Sequence, residues 1–315
     1  MLEQLGMFGL GLVLLALGGD SLIKGASGLA QKFGASPFVA GLLLVAFGTS
    51  IPELFVNARA YMVGAQDLAL GNAVGSNVVN FGLTLGLAAI AAPLLVSMRL
   101  LSPMLVLLVV ATFALIVFGL DGVVSRIEGV VLLLGFVAML AFILARSRHE
   151  QVEVRESIAA YAATRSVLWM NLLRFVVAGA LLYYGAKFVV QSAPMLGAAW
   201  GMSPLIVGLL PVAIGTALPE VAAAIAAARR GQGDMVMGHV IGSSLFNLLV
   251  VVGGMAALRP LPLPASFVRF ELPAAIAFAL VLYPMLRGDM RINRSEGVVL
   301  VVALLAWVAF QLFLL

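Results

Sequence analysis

The chain has 315 residues, 63% of them hydrophobic and 10% charged, with a formal net charge of +4. Soluble globular domains carry roughly 45–50% apolar and about 25% charged residues, so this composition excludes an ordinary soluble enzyme and describes a protein embedded in a bilayer. Cysteine is absent, which excludes disulfides and thiolate metal sites, and the basic residues are scattered among short loops rather than gathered in a patch, which argues against a nucleic-acid partner.

A helix needs about 20 apolar residues to cross the hydrocarbon core. Windows of that kind, bounded by polar, Gly or Pro punctuation, predict ten spans at 5–30, 37–62, 68–92, 101–120, 126–146, 168–192, 203–228, 234–258, 268–287 and 294–315. Continuous apolar runs rather than short alternating strands favour helices over a β-barrel. The opening MLEQLGMF places Glu3 where a signal peptide needs basic residues, so the first run is expected to remain as a span.

With the N-terminus outside, the inner loops hold Lys24, Lys32, Arg99, Arg146, Arg148, Arg155, Arg165, Arg229, Arg230, Arg287, Arg291 and Arg294, and the outer ones Arg59, Arg126, Arg259 and Arg269. Twelve against four predicts both termini outside and the central loop in the cytoplasm, with Arg174 near the inner end of span 6 and Lys187 within it.

The longest polar stretch, 146–166, separates five predicted spans from five, giving a first half (1–145), a linker (146–167) and a second half (168–315). An offset of 167 residues aligns SPFVAGLLLVAFGTSIPEL (36–54) with SPLIVGLLPVAIGTALPEV (203–221), and LALGNAVGSNVVN (68–80) with MVMGHVIGSSLFN (235–247). From Ser36 to Asn80, 18 of 45 positions are identical to their partners, mainly at Gly, Pro, Ser, Thr, Glu, Asp and Asn. An odd number of spans per half makes the second copy enter from the opposite side, so the expected fold is an all-α membrane protein of two inverted five-helix repeats, with the site where the repeats meet.

Glu53 and Glu220 are the acids that this pattern buries deepest. A charge at mid-bilayer costs at least about 2.5–3.5 kcal/mol and marks an ion or substrate path unless it is neutralised structurally. Structural neutralisation would need a basic partner or a bound proton. The mid-span candidate is Lys187, which the repeat aligns with Asp20, so a Lys187–Asp20 contact is conceivable.

Around the acids stand Thr49 and Ser50 in one half and Thr216 in the other, and Pro52 and Pro219 are expected to interrupt spans 2 and 7, freeing carbonyls such as those of Ala46 and Ala213. Ser76 with Asn80, and Ser243 with Asn247, are spaced i, i+4 and share a helix face, while Gly71, Gly75, Gly238 and Gly242 permit close helix approach. An all-oxygen set suits hard cations such as Ca²⁺. His239 near the site and His149 in the loop are expected not to be ligands. Two carboxylates are neutralised by one Ca²⁺, two Na⁺ or two protons, and an empty dry site is strongly penalised, which is the logic of obligatory exchange.

With GTSIPE and GNAVGSNVVN in one half and GTALPE and GHVIGSSLFN in the other, the sequence resembles the calcium/cation antiporter superfamily, and within it the bacterial sodium/calcium exchanger type. The resemblance implies ten helices, with spans 2, 3, 7 and 8 around the ions and spans 1 and 6 sliding across them. It implies exchange of several Na⁺ for one Ca²⁺ in the bacterial cytoplasmic membrane, with lipid as surroundings and no cofactor beyond the transported ions. It places Ca²⁺ on Glu53, Glu220 and the Thr49 and Thr216 carbonyls, and gives Na⁺ to Ser50, Ser76, Asn80, Ser243, Asn247 and the Ala46 and Ala213 carbonyls. Two positions depart from the family: Ala217 stands where Ser is common, and Asn247 where members also carry Asp.

Three other readings compete. A Ca²⁺/H⁺ exchanger would release Ca²⁺ by protonating the same acids, and a passive cation channel would use the same broken helices. The GxGD pattern at Gly231-Gln232-Gly233-Asp234 matches intramembrane aspartyl proteases, but it aligns with Gly64-Ala65-Gln66-Asp67 and reads as a loop. The topology is tested by fusing reporters to each terminus: both are expected to report outside, and a cytoplasmic signal from either would overturn the orientation.

Overall fold

The computed structural model describes residues 1–33, 37–146, 152–162, 167–287 and 290–313, without the side chains of 37–39, 45, 46, 157, 161, 162 and 284–287. Helix α1 (Leu2–Lys32) packs along α9 (Leu168–Ala199). Glycines set their separation: a Cβ on Gly11 would lie 2.9 Å from the Gly185 carbonyl, and one on Gly25 would lie 3.2 Å from that of Asn171. Small residues of this kind let two backbones approach where lipid offers no hydrophobic drive to associate.

The second predicted span is interrupted. Helix α2 (Pro37–Phe47) ends in a 3₁₀ turn, Gly48–Ser50, before α3 (Ile51–Met62) begins with Pro52 in its first turn. Proline lacks the N–H that would continue the preceding ladder, yet its fixed φ suits a helix start. Gly64 turns the chain at φ +82°, where a Cβ would be strained. Helix α4 (Gln66–Val79) then runs through a π segment, Asn80–Leu85, into α5 (Gly86–Ala91). After the short strand β1 (Leu94–Leu95) come α6 (Leu101–Phe118), strand β2 (Val123–Val124) and α7 (Arg126–Arg146).

The linker is not wholly irregular: α8 (Val152–Ala162) forms within it, buries Val154 and Ile158, and lays Ile158 against Gly41 of α2. Its flanks 147–151 and 163–166, including Arg148, His149 and Arg165, lie outside the described residues.

The second half repeats the order of elements. Helix α10 (Pro204–Val207), capped by Ser203, passes through a π segment at Gly208–Val212 into α11 (Ala213–Arg229). Gly231 turns at φ +74°, and α12 (Gly233–Phe246) continues through π residues Asn247–Val252 into α13 (Gly253–Leu258). Strand β3 (Leu261–Pro262), π residues Phe267–Glu271 with α14 (Leu272–Arg287), strand β4 (Arg291–Ile292) and α15 (Arg294–Phe313) complete the chain.

The departure from α geometry expected at GTALPE lies earlier. Pro219 sits inside continuous α11, and the π segment around Pro211 absorbs the irregularity of the seventh span. A π turn accommodates a proline by widening the ladder instead of breaking it.

Two antiparallel strand pairs cross between the halves, Leu94 opposite Ile292 and Val123 opposite Pro262. Among the described residues nine helices are long and apolar enough to cross a membrane, and the remaining predicted span, 268–287, is also helical. The third and eighth spans form the enclosed centre, with 83% of their apolar windows buried, against 22% for the first and fifth.

Gly71 and Gly75 carry the close approach that their spacing predicts. A Cβ on Gly75 would lie 2.7 Å from Leu209 Cα, and one on Gly71 would lie 2.9 Å from Leu209 N. Gly75→Ala is therefore expected to cost about 1–3 kcal/mol by overpacking and to lower the melting temperature of the detergent-purified protein. Gly179→Ala, with nothing within 4 Å of the new methyl, serves as the unaffected control.

Candidate ion-binding site

Glu53 lies in the first turn of α3, where the free N–H groups and the helix dipole favour a negative charge. Glu220 lies well inside α11. Their residues are 1% and 5% exposed, and the two side chains are close enough to repel one another electrostatically. All four carboxylate oxygens are buried without a hydrogen-bond partner among the described residues. Unsatisfied burial of this kind is expensive unless something positive joins it.

The hydroxyls divide unequally. Ser50 donates to Ser243 Oγ at 2.6 Å, and Asn80 Nδ2 donates to the same oxygen at 3.1 Å, so three of the predicted residues meet across the two halves. The mirror cluster would join Asn247, Ser76 and position 217, but Ala217 has no hydroxyl. Asn247 instead donates to Asn77 Oδ1 at 3.3 Å, and Ser76 donates to Asn72 Oδ1 at 3.4 Å.

Thr216 stands near Glu53, but its hydroxyl proton is directed at the carbonyls of Val212 and Ala213, at 3.0 and 3.2 Å. The Ala213 carbonyl, expected to be freed, is thus engaged within a continuous helix. Ala46 lies in the last turn of α2, just before the 3₁₀ turn. Asp20 pairs with Lys24 at 2.6 Å, one turn along its own helix, and not with Lys187.

His239 stands against two of the predicted site residues. Its Nδ1 lies 2.6 Å from Thr49 Oγ1 and its Nε2 lies 3.3 Å from Glu220 Oε2. The signal for it was present in the sequence as the one ionisable residue inside the duplicated GHVIGSS segment. Asn57, Asn72, Asn77 and Ser244 also escaped the sequence reading. Asn72 Nδ2 donates to Asn57 Oδ1 at 2.8 Å, and Asn77 Nδ2 donates to the Ser244 carbonyl at 3.3 Å. Asn72 lies four residues before Ser76 and so shares the helix face of Ser76 and Asn80, a spacing from which it could have been found.

Two adjoining crevices reach this centre. One, of about 190 Å³, runs between α1, the start of α3 and α11, past Asp20, Pro52, Pro219 and Thr49 to Glu220. The other, of about 50 Å³, leads from Ala227 and Met235 to Glu220 and His239. Glu53 lines neither and lies behind them. Among the described residues no three His, Asp or Glu side chains converge on a single point. The donors are two carboxylates, hydroxyls, amides and one imidazole, a set that fits a desolvated cation better than a resident catalytic metal.

A family model described as "Sodium/calcium exchanger protein" matches residues 3–145 and 170–313. The chain is 33% identical to the inner membrane protein YrbG of Escherichia coli, over 96% of this chain and 95% of that one. It is 28% identical to the sodium/calcium exchanger MaX1 of Methanosarcina acetivorans, over 97% and 96%. The solved structure of the sodium-calcium exchanger NCX_Mj soaked with 2.5 mM Na⁺ and 0.1 mM Ca²⁺ superposes with a TM-score of 0.69 at 31% identity, covering 98% of both chains. The chain therefore belongs to the sodium/calcium exchanger family and is a cation antiporter of the membrane, not an enzyme.

Proposed function

We propose that the protein is a secondary active antiporter that exchanges Na⁺ for Ca²⁺ by alternating access. The observation that carries this reading is the pair of buried carboxylates, supplied by matching positions of the two halves, whose oxygens have no hydrogen-bond partner among the described residues. One Ca²⁺ or two Na⁺ satisfy that charge, and an unloaded pair resists passage through an occluded state. Glu53 and Glu220 hold Ca²⁺ with help from Thr49 and Thr216. Ser50, Ser76, Asn80, Ser243 and Asn247, with the carbonyls of Ala46 and Ala213, serve Na⁺.

The two halves act as inverted repeats, 1–145 and 168–315, joined by the cytoplasmic linker. Sliding of α1 and α9 across the others exposes the site to alternate sides. The name of the relative YrbG supports placement in the bacterial cytoplasmic membrane.

A second reading, Ca²⁺/H⁺ exchange, is favoured by one observation. The hydroxyl lost at Ala217 removes one oxygen from a possible Na⁺ position.

Both are tested with purified protein in liposomes under Na⁺, H⁺ and K⁺ gradients imposed one at a time. Ca²⁺ uptake is expected to need an outward Na⁺ gradient, and uptake driven by a pH gradient without Na⁺ would establish the second reading instead. Glu53→Gln and Glu220→Gln are each expected to reduce Ca²⁺ flux to background while the protein still inserts. Undiminished flux in either variant would overturn the site.

A further inference from the structure

Position 239 breaks the correspondence between the halves. The first half has Asn72 bonded to Asn57; the second has His239, and the residue that matches Asn57 is Ala224. The methyl of Ala224 leaves room where Asn57 would stand, and both Ala224 and the imidazole line the same crevice beside Glu220. The exchange of an amide pair for a histidine and a small residue therefore turns a closed helix contact into a side chain facing the ion path.

The ring is 7% exposed and oriented from one side only. Its Nδ1 is held by Thr49 Oγ1 at 2.6 Å, while Nε2 faces Glu220 Oε2 at 3.3 Å and has no hydrogen-bond partner among the described residues. Two donors on adjacent positions of one cation, at bond lengths of about 2.1–2.4 Å, stand about 3.0–3.4 Å apart. The separation of Nε2 from the Glu220 oxygen matches that bite. Metal-bound histidines donate their other ring N–H to a neighbouring oxygen, which fixes the ring and leaves a lone pair for the metal. Thr49 is placed to accept that proton.

We propose that His239 Nε2 is a cation ligand beside Glu220, and that it extends the site from Ca²⁺ to divalent cations of the transition series that accept mixed nitrogen and oxygen donors. This inference rests on the reading of Glu220 as an ion ligand. Imidazole suits the transition ions, whereas Ca²⁺ gains little from it, so His239 acts on selectivity. Water supplies the remaining positions. In its alternative tautomer Thr49 donates to Nδ1 and Nε2–H donates to Glu220, an arrangement that excludes the ligand role.

The test uses untagged, full-length protein carrying His149→Asn, so that His239 is the only imidazole. Mn²⁺ is bound to the purified protein and its electron spin echo is examined for ¹⁴N modulation. A modulation typical of one imidazole is expected, displaced by excess Ca²⁺, and absent after His239→Asn, which restores the residue type of Asn72. In the same proteins the ratio of Mn²⁺ to Ca²⁺ affinity is expected to fall at least about tenfold in His239→Asn.

Bound Mn²⁺ without ¹⁴N coupling would overturn the inference, as would failure of Mn²⁺ to displace Ca²⁺ or an unchanged affinity ratio. Persistence of the coupling in Glu220→Gln would place the imidazole ligand at a site without Glu220 and overturn it too. None of these outcomes bears on Ca²⁺ flux or its loss in Glu53→Gln, which judge the antiporter reading separately.

Discussion

Glu53 and Glu220 are held close together inside a helix bundle whose outer face meets lipid, and the imidazole of His239 is placed against Glu220. Two like charges in a poorly polarisable surrounding repel strongly and are poorly solvated. The least costly arrangement supplies compensating positive charge from outside the chain. That requirement explains why the surrounding hydroxyls and amides are drawn from both halves. It also gives the antiporter its coupling on the proposed reading, since only a neutralised centre crosses the bilayer interior at modest cost.

The rest of the fold serves that centre. The 3₁₀ turn at Gly48–Ser50 lets α3 begin at the site, so that Glu53 lies where the helix dipole helps an anion. Gly71 and Gly75 bring α4 against α10 and its π segment, closely enough for hydrogen bonds to cross between the halves. The strand pairs β1–β4 and β2–β3 tie the halves crosswise at the ends of the bundle. Outside this core, α1 and α9 rest on each other through glycines along their length.

The duplicated motifs are similar in sequence but unequal in use. Ser243 collects Ser50 and Asn80, whereas Ser76 turns to Asn72 because Ala217 offers it nothing. Asn57 and Asn72 close one side of the centre with amides, while Ala224 and His239 leave the other side open to a crevice. The asymmetry is local: the amide pair closes the first half at this point, and the second half opens the smaller crevice beside Glu220.

Much of this was legible in the chain. Spans of membrane length follow from apolar runs, the repeat from an offset of 167 residues, and the acids from the cost of burying charge among hydrophobic neighbours. Those properties are local or periodic, so a linear pattern carries them. The sequence also specified the break at Pro52, because a missing N–H acts within one turn. Tertiary structure decided what lay beyond a turn's reach. Pro219 was accommodated in a continuous helix because the neighbouring π segment took up the strain. His239 reached Glu220 across two helices because Ala224 left the space. Partner choice depends on which faces meet and how much room they leave, and neither quantity is written at any single position of the chain.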